Sequence, residues 1–321
     1  MRYVGLHTQR ARNNFRSVLL LCLFPCLVVL LSLLFCVLLV IFASDNYGST
    51  DVWEQSLPIF LNLAPFLLGG VAIWFVIAYF ANTAIIRSAT GARPLERKEN
   101  KRVYNLVENL CMTLGMTMPK VNVIEDDSLN AFASGINNST YTVSLSRGII
   151  NKLNDEELEG VIAHELTHIR NRDVRLLIVS IVFTGIFAML TQLAFRVLIN
   201  SSGRSRSNSK NGKGTIVIIL IALVVAVVGY FFASLMRFAI SRNREYMADA
   251  GAAEMTRQPQ ALASALRKIS RDPNIEAVTR SDVAQLFIEH PIEKKQLFSG
   301  LSGLFATHPP IEKRIVLLEQ F

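Results

Sequence analysis

The sequence predicts a mostly α-helical protein with a small β-sheet, an α+β fold carried on four hydrophobic helices. Three observations predict it. The 321 residues are 51% hydrophobic with a mean hydropathy of +0.36, too apolar for an ordinary soluble protein and in the range of a membrane-embedded one. Long apolar runs occupy residues 17–43, 56–81, 176–199 and 215–236. Between the second and third runs, short β-forming stretches precede a helical pattern that carries His-Glu-x-x-His at 164–168.

Residues 1–16 are polar and basic, with Arg2, Arg10, Arg12 and Arg16, and read as a cytoplasmic N-terminus. Residues 17–43 exceed the ~20 apolar residues a spanning helix needs. The run is too long for a signal-peptide core and lacks a convincing cleavage site, so it reads as an uncleaved anchor. The following loop carries Asp45, Asp51 and Glu54 with no Lys or Arg, and residues 56–81 form a second span. Pro65 and Gly69-Gly70 inside that span read as breakers a membrane helix tolerates. Arg87, Arg93, Arg97, Lys98, Lys101 and Arg102 come next. Positive charge favours the cytoplasmic side, which places the N-terminus and the chain after the second span there.

Residues 82–175 read as the first part of a catalytic domain. An amphipathic helix is expected over 99–117, with Val103, Leu106, Leu110 and Leu114 on one face. Strands are expected at 121–124, 130–134 and 140–145, with a turn-rich break between the last two. The stretch Asn130, Ala131, Phe132 and Ala133 would form an edge strand, on which an extended peptide can pair without much of its sequence being read. A helix is expected over 154–173. Asn154 and Glu157 make a capping-box pattern, and Leu158, Val161, Ile162, Leu166 and Ile169 recur at helical spacing.

The apolar runs at 176–199 and 215–236 follow, joined by a Ser/Gly/Asn-rich stretch at 202–214 that carries Arg204, Arg206, Lys210 and Lys213. Full crossing would put those charges outside. Either the positive-inside tendency is broken here or the two segments do not fully cross. Residues 237–321 read as the second part of the catalytic domain, with helices at 259–270, 281–289 and 309–320 and a Gly/Ser-rich stretch at 297–307 that is either a flap or an ordinary packed loop. The four cysteines, Cys22, Cys26, Cys36 and Cys111, form no Cys-x-x-Cys pair and read as small buried hydrophobes. The net charge of +8 matches cytoplasmic-side Lys and Arg, and no nucleic-acid-binding module is present.

The chemistry rests on residues four apart sharing one helix face, which lets His164 and His168 point at one ion with Glu165 beside its water. The residues after His168 lack the His-x-x-Gly-x-x-His continuation, so a third ligand must come from further along the chain. Glu245 is the candidate, although a Glu among arginines is usually a solvated ion pair. Asp249, one turn on, is placed to orient a ligand histidine.

Residues 164–173 and 241–249 together resemble the HtpX-type membrane zinc metalloproteases, gluzincins related to the CAAX prenyl protease. Residues 130–135 resemble that family's substrate-binding edge strand, and His308-Pro309-Pro310 with Arg314-Ile315 resembles its C-terminal motif. The likeness covers essentially the whole chain. It implies one Zn²⁺ per chain held by His164, His168 and Glu245, with Glu165 as general base. It also implies a role for Asp173 beside the ligands or in positioning the helix. A donor to the oxyanion is expected from His308 or Tyr246, and His308 has a second possible role as a movable fourth ligand. The implied activity is endopeptidase cleavage of misfolded or damaged membrane proteins, with the bilayer as partner. The implied place is a bacterial inner membrane. His168 lies on the order of 10–15 Å along a helix from the third apolar run, which puts a bound ion close to the cytoplasmic surface. The alternatives are a dedicated prenyl-protease-like processing enzyme and an inert zinc-stabilised scaffold.

Overall fold

The computed structural model describes residues 6–43, 52–204, 211–238, 243–272, 286–288 and 309–321. Ten helices and four strands are formed by the described residues. The chain divides into two units: Met1–Ser17 with Phe80–Ile178 and Ile240–Phe321, and Val18–Tyr79 with Val179–Ala239.

The second unit draws on four long helices: α1 (Leu6–Ala43), α2 (Val52–Thr90), α6 (Asp173–Arg204) and α7 (Asn211–Phe238). Two stretches are long and apolar enough to span a bilayer, Cys22–Phe42 in α1 and all 39 residues of α2. The apolar stretches of the other two helices are shorter, Gly185–Val197 and Ile216–Phe232. Large apolar side chains such as Leu30, Phe66 and Ile73 are exposed along α1 and α2, as suits lipid rather than water. Cys36 is buried, whereas Cys22 and Cys26 are exposed, contrary to the reading of all four cysteines as buried. α6 and α7 take up both ends of the basic connection, leaving residues 205–210 outside the described chain.

The first unit is built on a four-stranded mixed sheet in the order β1-β2-β4-β3. Its strands are β1 (Arg93–Pro94), β2 (Lys120–Ile124), β3 (Ala131–Ser134) and β4 (Thr142–Ser146). β2 and β4 are parallel and β3 is antiparallel to β4, so β3 is an edge of the sheet. The turn from β3 to β4 needs Gly135 at φ 111°, where an added Cβ would lie 2.4 Å from the Thr140 carbonyl oxygen. α3 (Lys101–Leu114) is capped by the Asn100 side chain and ends where Gly115 turns left-handed, three residues short of the expected end.

A short α4 (Arg147–Lys152) and the two-residue β1 escaped the sequence pattern, being too brief to show a period. α8 (Asn243–Thr256), α9 (Pro259–Ile269) and α10 (Ile311–Glu319) complete the unit. Of the helix expected over 281–289 only residues 286–288 are described, and Leu286 there is in a 3₁₀ turn. Phe287 instead makes an antiparallel bridge with Phe132, and the Ile288 N–H donates to the Ala131 carbonyl at 2.9 Å. The reason is the open edge of β3, whose backbone groups need partners once buried. The stretch 297–307 lies outside the described residues.

Candidate active site

The central helix is α5 (Asp155–Asn171). Both halves of its capping box form: the Asn154 side chain accepts from the Glu157 N–H at 2.8 Å, and Glu157 accepts from the Asn154 N–H at 3.0 Å. Glu157 also accepts from Ser264 Oγ and Lys268 Nζ, each at 2.7 Å, which ties the start of α5 to α9. Leu158, Val161, Ile162 and Leu166 are wholly buried, which anchors the helix against β3 and α8.

α5 stops at Arg172, which turns left-handed at φ 63°. Asp173 therefore does not end the active-site helix, as expected, but opens α6. The break between the helices turns its carboxylate back on the ligand face, where Asp173 Oδ2 lies 2.9 Å from His168 Nδ1.

The two imidazoles are buried and face one another, with their Nε2 atoms 3.1 Å apart and their rings near perpendicular. Glu245, from the first turn of α8, brings Oε1 to 3.7 Å from His168 Nε2 and Oε2 to 3.8 Å from His164 Nε2. Two ligand atoms on a tetrahedral zinc, each ~2.0–2.1 Å from the ion, stand about 3.3 Å apart. The observed 3.1–3.8 Å edges match that span.

The Nδ1 atoms complete the fit. His164 Nδ1 lies 2.9 Å from Asp249 Oδ1, mirroring the His168–Asp173 pair. Asp173 is hydrogen-bonded to His168 Nδ1, which turns that ring's Nε2 toward a cation, while the Asp249 carboxylate stands beside His164 Nδ1 without an aligned hydrogen bond. His164, His168 and Glu245 can thus hold a metal ion.

α8 reaches this position because its contact face is small. Ala248 and Ala252 are wholly buried, and a Cβ on Gly251 would lie 2.7 Å from Thr167 Cγ2 of α5. The Arg314 guanidinium, on α10, is fully buried and donates twice to Asp249, at 2.7 and 2.8 Å. It also donates to the Ile288 carbonyl at 3.1 Å, joining the His164 partner to the segment on the edge of β3.

Titration follows from this burial and charge. Burial raises the Glu165 carboxyl to about 7; the Glu245 charge adds to the rise, while His168 and the Ala133 backbone N–H oppose it. Burial lowers His164 to about 4 despite Asp249. At His168 burial acts the same way, but Glu245 and Asp173 outweigh it and raise the ring to about 8. Of the two rings, only His168 is drawn toward its charged form, by the Glu245 and Asp173 carboxylates.

The cleft over the cluster is small, with about 10 Å³ of free space, enough for about one water. Glu165, His168, Glu245, Arg244, Ala133 and Phe287 contribute to its lining. Asn130 sits just before β3, fully buried and bonded through its backbone N–H to Ser146 Oγ, and Ala131, Phe132 and Ala133 belong to the strand. The outer side of β3 is occupied at Phe132, whose ring centroid is 4.7 Å from that of Phe287. Tyr246 is half-buried and is not among the described residues lining the cleft, and His308 lies outside the described residues.

Sequence reasoning missed two site residues. Arg314 lies in the C-terminal motif that begins at His308, but its partner Asp249 cannot be read from that motif. Arg244 looked like one of several solvated arginines.

Residues 97–321 match peptidase family M48. The chain is 68% identical over 323 residues to the protease HtpX homolog of Bacteroides fragilis, with 100% of both chains covered. It is 36% identical over 318 residues to the protease HtpX homolog of Lactobacillus helveticus, covering 98% of this chain and 99% of that one. The crystal structure of S. mikatae Ste24p aligns with 84% of this chain at a TM-score of 0.44 and 21% identity, and the alignment spans 58% of that chain.

Proposed function

The chain belongs to peptidase family M48 and is a membrane metallopeptidase, and from that premise we propose a zinc endopeptidase that cleaves membrane proteins at the cytoplasmic face. One Zn²⁺ per chain is held by His164, His168 and Glu245. The observation that carries this reading is the pair of carboxylates, Asp249 and Asp173, each 2.9 Å from a histidine Nδ1. They stand behind the two rings, whose Nε2 atoms meet 3.1 Å apart beside Glu245, an arrangement that suits a shared cation. Zinc supplies Lewis acidity to a water and to the substrate carbonyl.

The chain's own groups do the rest. Glu165 accepts the water proton and returns it to the leaving amine. A peptide strand pairs with β3, and the bridge to Phe287 must open where that strand lies. Residues 17–43 and 56–81 span the bilayer, and 176–199 and 215–236 supply two further hydrophobic helices. Misfolded or damaged membrane proteins are the proposed substrates, and the relatives are proteases by name.

The test is E165Q in the full chain. The expected result is unchanged zinc content with loss of cleavage of an unfolded membrane substrate. Wild-type turnover in that variant, or purified wild-type protein without zinc, overturns the reading.

A further inference from the structure

Arg244 precedes the third clustered ligand and is buried, with 5% of its surface exposed. Its Nε and Nη1 atoms have no hydrogen-bond partner among the described residues. Nε stands 3.2 Å from Glu245 Oε1, close enough to feel the charge but not aligned for a hydrogen bond. Burying a guanidinium costs several kcal/mol unless an acceptor faces it, and ~90% or more of buried polar groups have one. A buried donor left without a partner on the wall of a cleft therefore points to a ligand.

The cleft identifies the ligand's chemistry. Arg244 lines it together with Glu165, His168 and Glu245, and it is the one Arg or Lys among the described lining residues. The other buried guanidinium nearby, Arg314, is committed to Asp249 and to the Ile288 carbonyl. Peptide hydrolysis creates an anion where the substrate carbonyl was, and a fixed donor aimed there lowers the barrier.

We propose that Arg244 is a catalytic residue that donates to this oxyanion. The proposal rests on the metallopeptidase reading above. The water oxygen bonds to the carbonyl carbon while Glu165 takes the water proton. The carbonyl π pair moves onto its oxygen, and the Arg244 guanidinium donates its N–H groups to that oxyanion. On collapse the pair returns to the carbonyl, the C–N bond breaks, and the proton held by Glu165 passes to the amine nitrogen. No electron is gained or lost overall.

The experiment uses the full chain in detergent as wild type, R244M, R244K and E165Q. Zinc per chain, kcat and KM on an unfolded membrane protein, and affinity for a phosphinic peptide and its matched amide are measured. The phosphinic group is a tetrahedral anion that imitates the oxyanion. R244M is expected to keep zinc and a KM within about threefold, and to lose about 10²-fold in kcat. Phosphinic affinity should fall in parallel while amide affinity holds, and R244K should be intermediate because it keeps the charge but not the planar donor. Zinc loss in both Arg244 variants, an unchanged kcat, or equal loss of both peptides overturns the proposal. Wild-type protein without zinc, or full turnover in E165Q, instead sinks the premise.

Discussion

The two halves of the ligand cluster are assembled in different ways. His164 and His168 come from one helix, four residues apart, and their spacing is set by the helical repeat. Glu245 and Asp249 come from α8, some eighty positions on, and their placement is set by packing. The first half has a capping box and a wholly buried apolar stripe. The second depends on small residues at the α5–α8 contact and on one buried cation from α10. A local pair tolerates remote change. A pair brought together across the fold depends on whatever holds the partners in place.

The largest expected effect is at the cation. R314M leaves the buried Asp249 carboxylate without its bidentate partner, a loss of about 3–5 kcal/mol. A denaturation midpoint close to wild type would show that α10 is dispensable to the distant half. Next is the small contact. G251V places branched carbons against Thr167, and overpacking of this kind costs about 1–3 kcal/mol. Zinc affinity should fall with it, since Glu245 rides on the same helix. A variant that loses stability but keeps wild-type zinc affinity would separate the contact from the ligand.

The third probes the edge strand. Phe132 and Phe287 face each other as a pair flanked by the Ile288–Ala131 hydrogen bond, and such pairs have Cα atoms about 4.5 Å apart, within disulfide reach. In a background without the native cysteines, F132C/F287C should lose about tenfold or more in activity when oxidised and regain it on reduction. Full activity of the oxidised form would mean that substrate does not use this edge.

The smallest effect belongs to the local half and depends on pH. Burial alone would raise the Glu157 carboxyl, but Lys268, Ser264 and the Asn154 backbone outweigh it and hold it below the usual 4.5. Its charged form is therefore favoured in the folded protein. That contribution is complete above about pH 4.5 and is lost as pH falls through the lower folded value. E157Q should cost about 1 kcal/mol at neutral pH, and its stability should converge with wild type in acid. A pH-independent gap in denaturation midpoints would assign the effect to the cap alone.

Much of this architecture could be read from residues in order. The capping box at Asn154 and Glu157, the His pair, β-forming runs on either side of Gly135, and the apolar character of α1 and α2 are all short-range patterns. Asp249 was anticipated as a partner for a ligand histidine because it lies one turn from Glu245. Asp173 was placed at the end of α5, and only the left-handed turn at Arg172 made it the start of α6. Residues 281–289 had a helical look, yet Phe287 was drawn to the unpaired edge of β3.

The sequence by itself determined what recurs within a few residues: the helix that carries both imidazoles, its caps, the neighbouring Glu165 carboxylate and the hydrophobic segments. Backbone periodicity and side-chain polarity suffice for these. Only the tertiary structure decided which carboxylate faces which nitrogen, which of the many arginines are buried, and what covers the edge of β3. Those outcomes depend on contacts across tens to hundreds of residues, where close packing, and not local spacing, selects the neighbour.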